Sequence, residues 1–127
     1  MVDELQRVRA IVADVQFPGY RFEVQEDDSG GAVRTMVRIV YQEPDVMTGQ
    51  PEQQEGRWWL INHGWAPGQI VQTCFKAVLT SLEHRGREHF TWRGRAVLQP
   101  HFDLPTLWQM AAPRDHVGVP IPFEPTP

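Results

Sequence analysis

Apolar residues recur every three or four positions after Pro67, and this spacing predicts a long amphipathic helix. Pro67 suits the first helical position, because the N–H that proline lacks would be unpaired there anyway. The spacing weakens around Gly86, which costs about 1 kcal/mol inside a helix, and we expect the helix to end near His89. Burying an apolar stripe of this size, at roughly 1.5–3 kcal/mol per side chain, would make the helix the main contributor to the core. The stripe comprises Ile70, Val71, Cys74, Phe75, Val78, Leu79 and Leu82.

A hairpin and a second, capped helix are predicted after the long helix. Two short apolar runs, 90–92 and 95–98, flank the pair Arg93-Gly94, which is typical of a hairpin with a two-residue turn. Asp103 then precedes another apolar stripe and can cap a short helix. This second stripe comprises Leu104, Leu107, Trp108 and Ala111.

The N-terminal third combines one helical pattern with two strand patterns. Residues 3–14 predict a helix capped by Asp3, and the alternation of apolar and polar residues over 20–25 predicts a half-buried strand. Turn-forming residues at 27–31 separate it from a longer strand over 33–41.

The segment from Glu43 to Gly56 is polar and acidic and contains no basic residue. We expect a loop here, and a loop of this length within a small domain is either functional or mobile. Because loops tolerate insertions, we favour a mobile connector without a functional role.

The strand predicted over 57–62 has apolar side chains on both faces. Trp58 and Leu60 lie on one face, and Trp59 and Ile61 lie on the other. Such a strand needs cover on both sides. Helices can cover one face, so the other must meet the C-terminal tail or another chain, and both interpretations stay open. The pattern is our strongest indication of a partner surface.

The tail 113–127 contains five prolines, and its apolar residues alternate with glycine, proline or glutamate. This pattern is typical of an extended arm, and its regularly spaced apolar side chains indicate docking on its own domain or on a neighbour. We therefore expect a single domain over 1–112, followed by this C-terminal arm. The apolar side chains of the arm are Val117, Val119, Ile121 and Phe123.

The order of elements, α-β-β-β-α-β-β-α, predicts an α+β domain. We expect a short antiparallel sheet, made of three strands and followed by a hairpin, with the long helix at its centre. The N-terminal and C-terminal helices should pack with it mainly on one face of the sheet.

Composition narrows the function mainly by exclusion. A chain of 127 residues with 41% hydrophobic and 22% charged residues is typical of one globular domain. A net charge of −4 gives no basic footprint for nucleic acid and no cationic face for a membrane surface. No run of 18 apolar residues suggests a membrane span, and the single cysteine, Cys74, excludes an intrachain disulfide.

One alternative function is a metal-assisted hydrolase, since imidazole and carboxylate groups are the ligands of catalytic zinc. No HExxH or CxxC spacing is present, however, and a helix cap is a sufficient role for Asp103. His84 and Glu88 share a helix face, where such pairs usually only stabilise the helix. We assign no catalytic residue, metal ligand or cofactor. The candidate set for this alternative is His63, His84, His101 and Asp103.

A second alternative is binding of single-stranded nucleic acid, with tryptophan rings as stacking platforms beside the basic cluster Arg85–Arg95. The acidic balance of the chain and the lack of interleaved Lys and Arg favour core and interface packing instead. The rings concerned are Trp58, Trp59, Trp65 and Trp92.

Several motifs occur together in residues 57–108. They are Arg-Trp-Trp-Leu (57–60), Ile-Val-Gln-Thr-Cys-Phe-Lys-Ala-Val-Leu-Thr (70–80), Glu-His-x-x-Arg-Glu-His-Phe (83–90), Trp-Arg-Gly-Arg-Ala-Val (92–97) and Pro-His-Phe-Asp-Leu (100–104). This half of the chain resembles small bacteriophage- and prophage-encoded proteins that have no established activity. The resemblance implies a phage context and transfers no residue role. Since the sequence also shows no apolar span and no signal peptide, we expect a location in the host cytoplasm or in the virion.

Taken together, these patterns favour a non-enzymatic protein that binds another protein. The partner expected is a virion component, a host factor or further copies of the same chain, so a homo-oligomer is one possible outcome. The expected partner surface combines the 57–62 strand with the C-terminal arm. Its residues are Trp58, Trp59, Ile61, Val119, Ile121 and Phe123.

Overall fold

Three helices and six strands make up the described part of the chain, residues 3–99 and 102–124 of this computed structural model. The helices are α1 (Glu4–Ala13), α2 (Pro67–His84) and α3 (Leu104–Ala111). The strands are β1 (Tyr20–Asp27), β2 (Arg34–Pro44), β3 (Pro51–Glu55), β4 (Trp59–Ile61), β5 (His89–Trp92) and β6 (Arg95–Leu98). All strand pairs between them are antiparallel, and the predicted α+β class is confirmed.

Three local predictions are also confirmed. The Asp3 carboxylate accepts a hydrogen bond from the Gln6 N–H at 2.8 Å and caps α1. Asp103 caps α3 in the same way. Arg93 and Gly94 have φ angles of 48° and 79°, so the two-residue turn between β5 and β6 has the positive φ values of a type I′ hairpin.

β2 is the central strand of a four-stranded sheet. β1 pairs with one edge of β2, while β3 and β4 share the other edge. Glu55 pairs with Val40, and Trp59 pairs with Val37. The chain therefore advances by four residues between these two pairs, whereas β2 advances by only three. The extra residue is a β-bulge that joins β3 to β4.

The bulge accounts for the glycine at position 56. The Gly56 N–H donates to the Ile39 carbonyl oxygen at 2.9 Å. A Cβ at this position would lie 2.7 Å from Ile39 Cγ1, closer than side chains tolerate. The extra residue also reverses the alternation of faces, so that Trp59 and Ile61 face the helices while Trp58 faces outward.

α2 is the centre of the packing and contacts α1, α3, β2 and β4. Its side chains take part in two clusters of buried residues. The first joins α2 to α1 and the sheet through Val8, Val12, Val37, Ile61, Ile70 and Cys74. The second joins α2 to the turn before β1, the β5–β6 hairpin, α3 and the C-terminal segment, and includes Phe17, Phe75, Trp92, Leu107, Trp108 and Ile121.

The end of α2 differs from the prediction, because the helix stops at His84 rather than near residue 89. Gly86 has a φ of 64°, which a helix cannot continue through. The Arg87 N–H donates to the Leu82 carbonyl oxygen and the Gly86 N–H donates to that of Glu83. These two bonds form a Schellman motif that satisfies the last carbonyl groups.

The segment 43–56 is a hairpin, and the predicted loop is wrong. β2 continues to Pro44, and β3 returns from Pro51 to Glu55 in register with it. β3 carries no apolar residue, so its sequence has no strand alternation to detect. Pairing with β2 supplies the backbone hydrogen bonds that make it a strand.

The C-terminal segment packs on its own chain, one of the two outcomes expected. It is not extended throughout, because the chain reverses at 115–118, where the Asp115 N–H donates to the Val119 carbonyl oxygen at 2.9 Å. Ile121 is buried, and its carbonyl oxygen accepts a hydrogen bond from Trp108 Nε1 at 3.1 Å. Residues 113–124 therefore belong to the domain, and the last three residues lie outside the described part.

Candidate functional site

The hairpin formed by residues 42–53 projects beyond the rest of the sheet. β1 accompanies β2 only as far as the pair Tyr20 and Tyr41. β2 continues beyond this pair to Pro44, where its strand partner is β3 and no longer β1. The turn 45–50 then connects the two strands. We call residues 42–53 the projecting hairpin.

The base of the projecting hairpin is anchored to the end of α2. Glu43 Oε1 accepts hydrogen bonds from Arg85 Nη1 and Arg87 Nη2, each at 2.7 Å. The Arg85 guanidinium also lies 4.3 Å from the centre of the Tyr41 ring and donates to the Tyr20 hydroxyl. Charge-assisted bonds of this kind hold a strand in a defined direction, so the hairpin leaves the domain as a fixed arm.

Two pKa shifts reflect this anchor. The hydrogen bond from Arg85, and then that from Arg87, hold the pKa of the Glu43 carboxyl below its ordinary value. Burial raises the pKa of the Tyr20 hydroxyl, although the positive charge of Arg85 opposes the shift. Glu43 is therefore ionised and Tyr20 is protonated at neutral pH, and in these states the oxygen atoms of both groups can accept the hydrogen bonds from arginine.

The turn at the end of the projecting hairpin is held by its own hydrogen bonds. Asp45 Oδ1 accepts from the N–H groups of Met47 at 2.8 Å and Thr48 at 3.0 Å. The Asp45 N–H donates to the Gln50 carbonyl oxygen, and the Gly49 N–H donates to the Asp45 carbonyl oxygen, both at 2.8 Å. The bonds from Met47 and Thr48 lower the pKa of the Asp45 carboxyl, so the turn keeps this geometry at neutral pH.

This ordered turn presents two apolar side chains to solvent. Val46 is 99% exposed and Met47 is 92% exposed, more than any other large apolar side chain in the described part of the chain. The residues around them, from 43 to 56, include four acidic and no basic side chains. Chemically, the site is an apolar tip on an acidic stem, which suits insertion into an apolar cleft with a basic rim.

The sequence contained a signal for this tip that the prediction did not use. Val46 and Met47 are adjacent apolar residues within a polar segment, and Pro44 and Pro51 stand at its two ends. In a mobile loop such a pair has no defined surface. Only the hairpin geometry turns it into a site.

The strand part of the predicted partner surface is largely used inside the chain. Ile61 is 3% exposed and packs in the core, so no partner can reach it in this fold. Trp58 and Trp59 are half-buried. The guanidinium of Arg38 lies 4.5 Å from the Trp58 ring centre, and that of Arg57 lies 4.0 Å from the Trp59 ring centre. On the outer face, Arg38 therefore covers Trp58, whereas Leu60 stays 47% exposed, so the chain's own cover of that face is partial.

Of the three arm residues in the predicted surface, one is buried, one is half-buried and one is exposed. Ile121 is buried in the core, and Phe123 packs against the Trp108 ring at a centroid distance of 5.3 Å. Val119 is 54% exposed and is the one residue of the predicted set that presents most of its surface to solvent. The structure therefore does not join the six predicted residues into a single exposed patch.

The histidine set of the hydrolase alternative does not converge in the described part of the chain. His63 precedes α2 and His84 ends it, and a helix of 18 residues is about 27 Å long. Asp103 is used as the α3 cap, and His101 lies outside the described residues. Glu88 lies beyond the end of α2, so the predicted helical pair with His84 is wrong. Among the described residues, no group of three or more His, Cys, Asp or Glu side chains is placed to hold a metal ion.

The surfaces suggested for nucleic-acid stacking have other contacts. Trp92 is 3% exposed and lies in the core, and Trp65 packs against the cluster around α1. Arginine side chains lie over Trp58 and Trp59, and Arg85 is bound to a carboxylate. These contacts favour the packing role over the stacking role.

Within the described residues, none of the helices has the length and apolar character required to cross a bilayer. No protein-family model, curated protein or solved structure matches this chain.

Proposed function

We propose that this protein is a non-enzymatic binding protein that docks on another protein through the tip of the projecting hairpin. The observation that carries the proposal is the almost complete exposure of Val46 and Met47 on a turn whose backbone is tied by its own hydrogen bonds. Exposed apolar residues on an ordered, protruding element are typical of interaction sites.

The energetics of the tip favour this role. Burying Val46 and Met47 in a partner would contribute roughly 1.5–3 kcal/mol for each side chain. Little backbone entropy is lost on binding, because the turn and its base are already ordered by hydrogen bonds. Such preorganisation leaves more of the burial energy for affinity.

The charge of the hairpin defines the partner surface. Asp45 and Glu52 stand beside the apolar tip, and the segment 43–56 has no cation of its own. We therefore expect an apolar cleft whose rim carries Lys or Arg. The resemblance to phage proteins favours a virion component or a host factor as the source, and a second copy of this chain is the remaining candidate.

Site-specific photocrosslinking tests the proposal. A photoreactive phenylalanine analogue at position 47 is expected to capture a defined partner in cells that produce the protein. The matched control carries the same analogue at Leu98, which is 53% exposed on the β5–β6 hairpin. Light scattering of the purified chain, compared with the double variant Val46→Ser/Met47→Ser, reports whether the partner is a second copy.

The proposal predicts crosslinks from position 47 that are absent from position 98. It also predicts that Val46→Ser with Met47→Ser abolishes partner binding while the melting temperature stays unchanged, since neither side chain packs in the domain. Equal crosslinking from both positions, or unchanged binding by the double variant, would show that the hairpin tip is not the docking site.

A further inference from the structure

A pocket of about 630 Å³ lies where the end of α1 meets β1, the turn before β1 and the β5–β6 turn. This volume is within the range of about 300–1,000 Å³ that small-molecule sites occupy. Its apolar wall includes Phe17 and Trp92, each 3% exposed, whose rings meet edge to face at 4.6 Å. Three exposed arginines complete the lining, and we call it the arginine-rimmed pocket. They are Arg9, Arg21 and Arg93.

The charge around this pocket is unusual for an acidic protein. The chain has a net charge of −4, yet none of the described residues that line the pocket carries a carboxylate. Arg9 and Arg93 form no ion pair within the described residues, and the nearest carboxylate of Arg21 is Glu23 at 3.7 Å. Among the residues that the structure describes, the hydrogen bond of Arg9 is a long one, 3.3 Å, to the Val24 carbonyl oxygen. The arginines therefore create a local positive potential next to an apolar surface.

Trp92 provides a second, independent observation. Its indole Nε1–H is buried and has no hydrogen-bond acceptor within the described residues. A buried donor without a partner costs roughly 1–3 kcal/mol, and most such groups in proteins are satisfied. Trp92 lines the pocket, but Nε1 itself is closed off from solvent, so a ligand whose entry shifts the neighbouring side chains would supply the missing acceptor.

The backbone of Arg93 provides a third observation. Arg93 has a φ of 48° at the first position of a type I′ turn, where Asn, Asp or Gly are the favoured residues. Arginine is not one of these favoured residues, and a left-handed φ is uncommon for it. Its side chain reaches over the Trp92 ring, with the guanidinium 5.7 Å from the ring centre. Residues that break a local rule in this way are concentrated at functional sites.

From these three observations we propose that the arginine-rimmed pocket binds a small amphipathic anion. The apolar body of the ligand would lie against the partly exposed Val15 and Phe22, with only the exposed edges of Phe17 and Trp92 in reach. Its carboxylate, sulfonate or phosphate group would accept hydrogen bonds from Arg9 and Arg93, and an oxygen of the ligand would accept from Trp92 Nε1–H. The apolar wall selects an apolar body and the arginines select a negative charge. Because both lie within one pocket of about 630 Å³, the ligand should carry both features.

A pair of fluorescent probes with related ring systems tests both halves of the proposal. 1-Anilinonaphthalene-8-sulfonate carries the negative charge, and N-phenyl-1-naphthylamine is its neutral analogue. We expect the sulfonate to bind the full-length protein with a 1:1 stoichiometry and at least tenfold more tightly than the neutral probe. The sulfonate should also shift the indole N–H resonance of Trp92 in a proton–nitrogen correlation spectrum, which places the probe in this pocket.

Variants separate binding from folding. Arg93→Asn retains the turn, because asparagine suits a left-handed φ, and it should fold as well as the parent chain. Arg93→Asn and Arg9→Gln should each weaken sulfonate binding about tenfold, the size expected for losing a hydrogen bond to a charged group, while binding of the neutral probe stays unchanged. Arg95→Gln is the matched control, since Arg95 is exposed on the same hairpin but does not line the pocket.

Any of four results would overturn the proposal. One is equal affinity for the charged and neutral probes, which would remove the role of the arginines. The second is unchanged sulfonate binding in the Arg9→Gln/Arg93→Asn double variant, and the third is no response of the Trp92 resonance. The fourth is displacement of the sulfonate probe by inorganic phosphate alone at similar concentrations, which would remove the role of the apolar wall. Because the pocket does not include the projecting hairpin, none of these results bears on the proposed protein-binding tip.

Discussion

Replacing Gly68 by alanine is expected to destabilise this protein, although alanine is the better helix former. Gly68 is buried near the start of α2, directly beneath the C-terminal segment. A Cβ at this position would collide with the carbonyl oxygen of Pro122 and lie 3.4 Å from Glu124 Oε2. Because the colliding atom belongs to the backbone, it cannot turn away as a flexible side chain would. The segment 113–124 must therefore shift or detach.

The magnitude follows from the contacts that this segment makes. Ile121 is 8% exposed, and its burial contributes roughly 1.5–3 kcal/mol. The hydrogen bond from Trp108 Nε1 to the Ile121 carbonyl oxygen contributes about 1 kcal/mol. The gain in helix propensity opposes these losses by at most about 1 kcal/mol. We expect a net destabilisation of about 1.5–3 kcal/mol, equivalent to a fall in melting temperature of about 6–12 °C for a chain of this size.

Thermal and urea unfolding followed by circular dichroism measure this change. Gly30→Ala is the matched control, because a Cβ at position 30 meets only Arg34 Nη2, at an ordinary 3.8 Å. A second comparison uses a chain that ends at Ala112 and lacks the colliding carbonyl group. In that chain Gly68→Ala is expected to be neutral or to raise the melting temperature, so the sign of the effect depends on the C-terminal segment.

Two results would refute this reasoning. If Gly68→Ala stabilises the full chain, the C-terminal segment does not lie over the start of α2. If the substitution destabilises the full and shortened chains equally, the cost arises within the helix and not from the segment. Should the shortened chain fail to fold, the full-length comparison of Gly68→Ala with Gly30→Ala still decides the first point.

Three further predictions concern the sheet, its hairpin and the core. Gly56→Ala should lower the free energy of unfolding by about 1–3 kcal/mol through overpacking against Ile39, and a neutral result in urea unfolding would argue against the bulge. Glu43→Gln should lower stability at pH 7 by about 0.5–1 kcal/mol through loss of the ion pair with Arg85. Because the pKa of Glu43 is lowered in the fold, the contribution of its carboxylate to the free energy of unfolding is complete above the ordinary pKa of 4.5 and is lost as the pH falls below that value. The stability difference between the parent and Glu43→Gln should therefore shrink in that range. A constant difference down to about pH 3 would contradict the anchor. Burial raises the pKa of the Cys74 thiol to about 12, so a thiol reagent at pH 8 should react only after unfolding, and rapid labelling of the native protein would show that α2 is not central to the core.

Local patterns could be predicted from the sequence where short-range chemistry decides the structure. The helix after Pro67 follows from its apolar spacing, and the carboxylates of Asp3 and Asp103 cap their helices as expected. The turn at Arg93-Gly94 was also predictable, because a two-residue hairpin needs positive φ values. In each case the residues that determine the element lie within one or two turns of it.

The misplaced end of α2 shows the limit of periodicity. The apolar stripe decides which face of the helix is buried, but it does not decide where the helix stops. The Schellman motif at Gly86 decides this, whereas helix propensity alone marks this glycine only as a weak point of the helix. A glycine after the last apolar position of a helix is itself a stop signal, so this information was present in the sequence.

The sequence by itself determined the α+β class, the central helix, the caps and the tight turn. Only the tertiary structure decided that β3 is a strand, since Pro51–Glu55 has no apolar alternation and takes its conformation from pairing with β2. It also decided that Ile121 belongs to the core and that Val46 and Met47 form an exposed tip. The physical reason is that these features depend on contacts between residues distant in sequence, whereas periodicity and capping depend only on neighbours along the chain.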